Sequence, residues 1–286
     1  MKQELVRINS MDEIEQPGIL YIPDKTTDKI VIHVHGLNGN FYENRFLDTL
    51  AKSYTDKGYA FLTFNNRGKD FIAELLKGDG FTVIGGSLER FKDCILDIEG
   101  VVSWVKQKGY KEITLEGHSY GCNKVLYYYN KKKEDCINKI VLLAPCDIPS
   151  EGKKFLSEEE YNKAKVESTR LVNEGKENEL IDFSVMANGK IAAGTYYNDF
   201  LPGGENDFIR YTEDINDMNE VLNSIDIPVL VVFGDADECV LTQPIDKVKV
   251  YLNNNIKNCT IKIINGADLS YCNKYEELGI IISKNF

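Results

Sequence analysis

Short apolar runs alternate with longer amphipathic stretches along most of this chain. Ile30-Val31-Ile32-His33-Val34, Ala60-Phe61-Leu62-Thr63-Phe64, Ile113-Thr114-Leu115, Ile140-Val141-Leu142-Leu143, Val229-Leu230-Val231-Val232-Phe233 and Ile261-Lys262-Ile263-Ile264 have strand length and little polar alternation. Helical patterns fall between them, at 42–57, 87–108, 120–132, 243–254 and 273–284. Strands that are apolar on both faces must be covered on both faces, and helices between them supply the cover. The pattern therefore predicts an α/β, doubly wound, mostly parallel sheet. Leu5-Val6-Arg7-Ile8 and Gly18-Ile19-Leu20-Tyr21-Ile22 read as a leading hairpin.

The alternation breaks between 150 and 226. Residues 1–149 and 227–286 are read as the core, and 150–226 as an inserted lid. Within the insertion, Ser157-x-x-Glu160 has the form of a capping box, opening a helix that runs toward Gly175. Asn188-Gly189 suggests a type I′ hairpin. Tyr196, Tyr197, Phe200, Phe208 and Tyr211 have two readings, as the lining of a substrate pocket or as packing of the lid on the body.

Composition narrows the partners. Hydrophobic residues make up 43% of the 286, enough for a full core. The net charge of −11 repels phosphate backbones and anionic bilayers, so neither nucleic acid nor a membrane is expected as a partner. Lys131-Lys132-Lys133 reads as a solvated helix end. The seven cysteines are odd in number and contain no Cys-x-x-Cys pair, which predicts reduced thiols, no metal and a cytoplasmic protein. The N-terminal residues carry no apolar run of the signal-peptide kind, and no stretch has the length of a bilayer span.

Gly117-His118-Ser119-Tyr120-Gly121 follows one predicted strand and opens a predicted helix. A serine held in so tight a strand-to-helix turn is raised at the carboxyl edge of the sheet, with the helix N-terminus aimed at it. Ser119 is the candidate nucleophile. His35-Gly36-Leu37-Asn38-Gly39 leaves an earlier strand, and the backbone N–H groups of Leu37 and Tyr120 are the candidate oxyanion donors. His35 suits an orienting role on that loop better than a catalytic one; His33 and His118 read as structural. After Ile227-Pro228 and the next strand comes Gly234-Asp235-Ala236-Asp237-Glu238, an acidic loop able to orient a histidine.

These segments resemble the α/β-hydrolase superfamily, and in particular a branch with fungal siderophore esterases and related bacterial serine hydrolases. The matching stretches include 35–40, 65–68, 85–94, 117–121, 237–240 and 266–271. The resemblance selects Asp237 as the triad acid, with Asp235 and Glu238 as runners-up. It also puts the triad histidine inside Gly266-Ala267-Asp268-Leu269-Ser270-Tyr271, where this chain has Leu269. All three histidines of the chain precede Ser119. Leucine neither accepts nor donates a proton, and in a serine protease the loss of the histidine costs roughly 10⁶-fold in kcat. The resemblance thus implies an esterase-type serine hydrolase acting on a small-molecule ester without cofactor, in a form strongly impaired by Leu269. The alternatives are a ligand-binding pseudo-hydrolase and a non-hydrolytic lyase or cyclase with Asp268 or Asp237 as base.

Overall fold

The computed structural model describes residues 1–186, 189–211, 219–237 and 241–286. Eight strands form the main sheet: β1 (Lys2–Asn9), β2 (Glu15–Ile22), β3 (Lys29–Val34), β4 (Ala60–Phe64), β7 (Glu112–His118), β8 (Ile137–Leu143), β11 (Val229–Gly234) and β12 (Cys259–Ile264). Their order is β1-β2-β4-β3-β7-β8-β11-β12. β1 and β2 pair antiparallel, as do β2 and β4; the other neighbours are parallel.

Helices cover both faces because both faces are apolar. On one side lie α2 (Cys94–Gln107), α3 (Tyr120–Lys132) and α8 (Ile245–Asn255), with Ile98, Val101, Val125 and Val248 in the larger core. On the other lie α1 (Phe46–Asp56) and α9 (Tyr275–Asn285), which bury Phe46, Leu50, Leu278 and Ile282 against Val31, Val141 and Val232. The chain leaves β3 toward β4 on one side, and β7 then joins β3 on the other. That reversal of direction opens a crevice at the carboxyl ends of β3 and β7, where folds of this kind bind ligands.

Between β8 and β11 the described residues add no strand to the main sheet. They form α4 (Ile148–Phe155), α5 (Glu158–Asn173), the pair β9 (Leu180–Asp182) and β10 (Lys190–Ala192), α6 (Ala193–Asp199) and α7 (Glu220–Asn223). Both halves of the Ser157–Glu160 capping box are present. β9 and β10 do form a hairpin, but Asp182 faces Lys190 across it. The connection is therefore longer than the two-residue turn expected at Asn188-Gly189, and Asn188 itself lies outside the described residues. Tyr196, Phe200, Phe208 and Tyr211 are buried, and Tyr197 is half-buried. Phe183, Tyr196 and Phe200 pack on one another, and Phe208 packs on Phe91 and Tyr127. These aromatics fasten the segment to the body: their apolar area is removed from water more completely by packing than by lining an open pocket.

Two predicted helices start late. α1 begins at Phe46 and α2 at Cys94, after a short 3₁₀ turn at Phe91–Asp93. Residues 85–90 are instead a loop pinned by Gly86 N to Asp70 O and Ser87 N to Phe71 O. A hairpin of β5 (Ala73–Lys77) and β6 (Gly80–Ile84) was not expected. Its Leu76, Phe81 and Val83 face solvent, so the run lacks the burial pattern of a core strand.

Candidate active site

Ser119 stands between β7 and α3 with φ 52° and ψ −127°, a conformation costing a non-glycine residue about 1–3 kcal/mol. The flanking glycines permit it. A Cβ on Gly117 would strike the backbone of Gly121 and Cys122, and one on Gly121 would strike the carbonyls of Val34 and His35. The elbow is held below by Ser119 N donating to Leu143 O at 2.8 Å.

The loop leaving β3 lies against the serine. A Cβ built on Gly36 would sit 3.1 Å from Ser119 Cβ and 3.5 Å from its Oγ. Leu37 follows on this loop, and Tyr120 opens α3. Val34 pairs with Gly117 across β3 and β7, so the register of two neighbouring strands brings the two segments together. His35 holds the loop's shape. Asn66 N donates to His35 Nε2 at 3.1 Å, so Nδ1 carries the hydrogen and donates to Gly36 O at 2.8 Å. Burial, then the charge of Lys124, push its pKa down to about 3. A neutral imidazole with both nitrogens engaged orients backbone and is no base for Ser119.

Asp237 follows β11 and is 2% exposed. It borders a cavity of about 520 Å³ shared with Lys154, Leu241 and Pro244. Asp235 instead braces the last loop, its Oδ1 accepting from Gly266 N at 2.6 Å. Glu238 lies outside the described residues.

Leu269 is half-buried on the loop after β12 and packs against the larger core. Its neighbours on that loop are braced. Ala236 N donates to Ala267 O, and Asp268 Oδ1 accepts from Ser270 N and Cys272 N. Tyr271, at φ 53° and fully buried, donates from its hydroxyl to Val232 O at 2.9 Å. Asp268 Oδ1 is thus engaged by its own loop.

Several groups at the site gave no signal in the sequence. The buried Cys146 thiol neighbours Ser119 and donates to Asn123 Oδ1 at 3.4 Å. Glu151 sits one turn beyond Asp147, the N-cap of α4. Burial, reinforced by the charges of Asp147 and Asp237, holds its carboxyl well above the usual range. Only folding brings β8, α4 and β11 to one place, so spacing along the chain could not reveal this. Other matched stretches form buried polar braces. Arg67 clamps Asp97 with Nε and Nη2, and Lys124 pairs with Glu89 at 2.7 Å while also donating to Asn66 Oδ1. His33 binds Glu116 at 2.7 Å, and Tyr54 donates to the same carboxylate.

The family model described as serine aminopeptidase, S33, matches residues 25–268, which takes in the elbow, the loop after β3 and Asp237, and ends one residue before Leu269. The chain belongs to this family of α/β-hydrolases. A Synechocystis protein provisionally named a non-heme chloroperoxidase is 26% identical over 274 residues, 87% of each chain. Among solved structures, Est1E of Butyrivibrio proteoclasticus with ferulic acid bound aligns with TM-score 0.69 at 20% identity, covering 98% of this chain and 97% of Est1E. An esterase of Pyrococcus furiosus aligns at 0.61 with 19% identity, over 99% and 89%. The chain therefore shares its fold with esterases along nearly its whole length.

Proposed function

We propose that this family member is a carboxylic ester hydrolase of the Ser-His-Asp type whose histidine position holds Leu269, leaving turnover strongly impaired. The observation that carries the reading is the strained Ser119, raised against Gly36 at the crevice of β3 and β7. In the Leu269→His protein, Ser119 Oγ attacks the ester carbonyl as the imidazole takes its proton. Asp237 orients that imidazole, and the Leu37 and Tyr120 N–H groups hold the oxyanion. The imidazole then returns the proton to the leaving alcohol, and water releases the acid. No metal or organic cofactor enters this chemistry. Residues 150–226 act as a lid: Asn38 Nδ2 lies 3.4 Å from Met186 Sδ, and Tyr120 donates to Asp199 at 2.8 Å.

The partner is a small-molecule ester, and the location we assign is the cytoplasm. The described cysteines are free, and among the described residues no helix is long and apolar enough to cross a membrane. The test is Leu269→His assayed on a panel of activated esters, with a feruloyl ester included because Est1E binds ferulic acid. Turnover well above the unmodified protein, abolished by Ser119→Ala, is the expected result; no gain overturns the reading. Leu269 itself favours one alternative, a ligand-binding pseudo-hydrolase, which predicts tight binding without turnover that survives Ser119→Ala.

A further inference from the structure

We propose that His118 is a positioning residue: its ring ties the nucleophile elbow to the loop that carries residue 269, so that positions 119 and 269 keep one separation. The inference rests on the reading of Ser119 and position 269 above.

His118 Nε2 lies 2.9 Å from the carbonyl oxygen of Leu269. A carbonyl only accepts, so Nε2 bears the hydrogen and donates. Burial holds the imidazole neutral, with its pKa down at about 4, so Nδ1 is bare. Nδ1 is buried and has no protein partner among the described residues. The ring is therefore not held by its other nitrogen; its polar anchorage is the bond to residue 269. Phe46 meets it edge-on at 4.9 Å and Tyr271 flanks it at 6.5 Å, which fixes the plane of the ring.

The other braces of this loop run within it, to β11 and the two residues after it, or on toward α9: Asp235 to Gly266, Ala236 to Ala267, Asp268 to Ser270 and Cys272, Tyr271 to Val232, and Lys274 and Tyr275 to Tyr271 and Cys272. Among the described hydrogen bonds, His118 alone joins the loop at 265–272 to the elbow at 117–121. A reacting pair must be held to a fraction of an ångström, and a 1 Å misplacement costs on the order of a hundredfold in rate. One hydrogen bond between the peptide of residue 269 and the residue beside the nucleophile is the shortest tether available.

The experiment compares His118→Phe, which keeps an aromatic ring and loses the donor, with His118→Gln, whose amide nitrogen can take the place of Nε2. In the Leu269→His protein, His118→Phe is expected to lower kcat 10- to 100-fold with KM within twofold, to shift the acid limb of the pH profile, and to be substantially rescued by His118→Gln. Equal kcat in the Phe variant, or equal losses in Phe and Gln, overturns the proposal. Two measurements on the unmodified chain separate its failure from failure of the hydrolase reading. Nitrogen-15 spectra of labelled histidine should show His118 as the Nε2–H form; an Nδ1–H form or rapid exchange between the two overturns the proposal. Amide exchange at 266–272 should quicken at least tenfold in His118→Phe relative to β1 and β2, and less in His118→Gln. Unchanged exchange overturns it, even where Leu269→His proves inactive.

Discussion

Lys124 and Glu89 form an ion pair 2.7 Å long with side chains 1% and 0% exposed. Lys124 is on α3, one turn after Tyr120, with its ammonium 4.9 Å from the centre of the Tyr120 ring. Removing one partner strands the other charge in the interior. Lys124→Met should therefore destabilise the fold by about 3–5 kcal/mol, and adding Glu89→Leu should restore much of the loss. Denaturant unfolding of the single and double variants checks this; additive losses would show that the two groups do not act as a pair.

Strain at Ser119 predicts the opposite sign for another substitution. Glycine adopts a positive φ freely, so Ser119→Gly should raise stability by about 1 kcal/mol, once the greater entropy of unfolded glycine is set against the relieved strain. In the Leu269→His background, phosphonylation by an active-site fluorophosphonate should be lost on the same Ser119→Gly change. A lower Tm than the unmodified protein would contradict the strain argument.

An imidazole supplied from solution should substitute for the missing side chain. On the proposed reading Leu269→Gly opens the histidine position, and added imidazole should then raise ester turnover at least tenfold in a saturable manner. The same addition should do little for the unmodified chain, which keeps the leucine. Rescue that is linear in imidazole and persists in Ser119→Ala would be bulk-solution catalysis and count against the site.

Acid should weaken the fold through its buried histidines. His35 and His118 have folded pKa values of about 3 and about 4, below the ordinary 6.5. Above that value both are neutral whether the chain is folded or not, and there is no penalty. As pH falls below 6.5 the unfolded chain takes up protons that the folded chain refuses, so stability drops by up to about 1.4 kcal/mol per pH unit for each histidine. The loss ends near pH 4 for His118 and near pH 3 for His35. Asp12, held down to about 2 chiefly by Arg67 against the opposing effect of its burial, adds a further loss in the same direction below pH 4. Unfolding free energies measured between pH 7 and 4 check this; a flat profile would mean that the histidines are not buried neutral.

Hydrophobic periodicity determined the sheet strands and most helices of this protein, because burial on one or two faces leaves a repeat that survives in the linear chain. The elbow was legible for a related reason: Gly117 and Gly121 are demanded by backbone collisions within a few residues of Ser119. The loops that carry Asp237 and Leu269 follow β11 and β12, where motifs contiguous in the chain put them. Tertiary structure alone decided what joins these motifs. The bond from His118 to the Leu269 carbonyl spans 151 residues, and that from Tyr120 to Asp199 spans 79. Such contacts depend on strand order and on how Asp199, Asn206 and Phe208 come to lie against α3, and neither leaves a spacing to read. The same reason explains the β5–β6 hairpin, where Leu75 is buried while Leu76, Phe81 and Val83 stay exposed, and the aromatics between β8 and β11, whose burial depends on the surface beneath them.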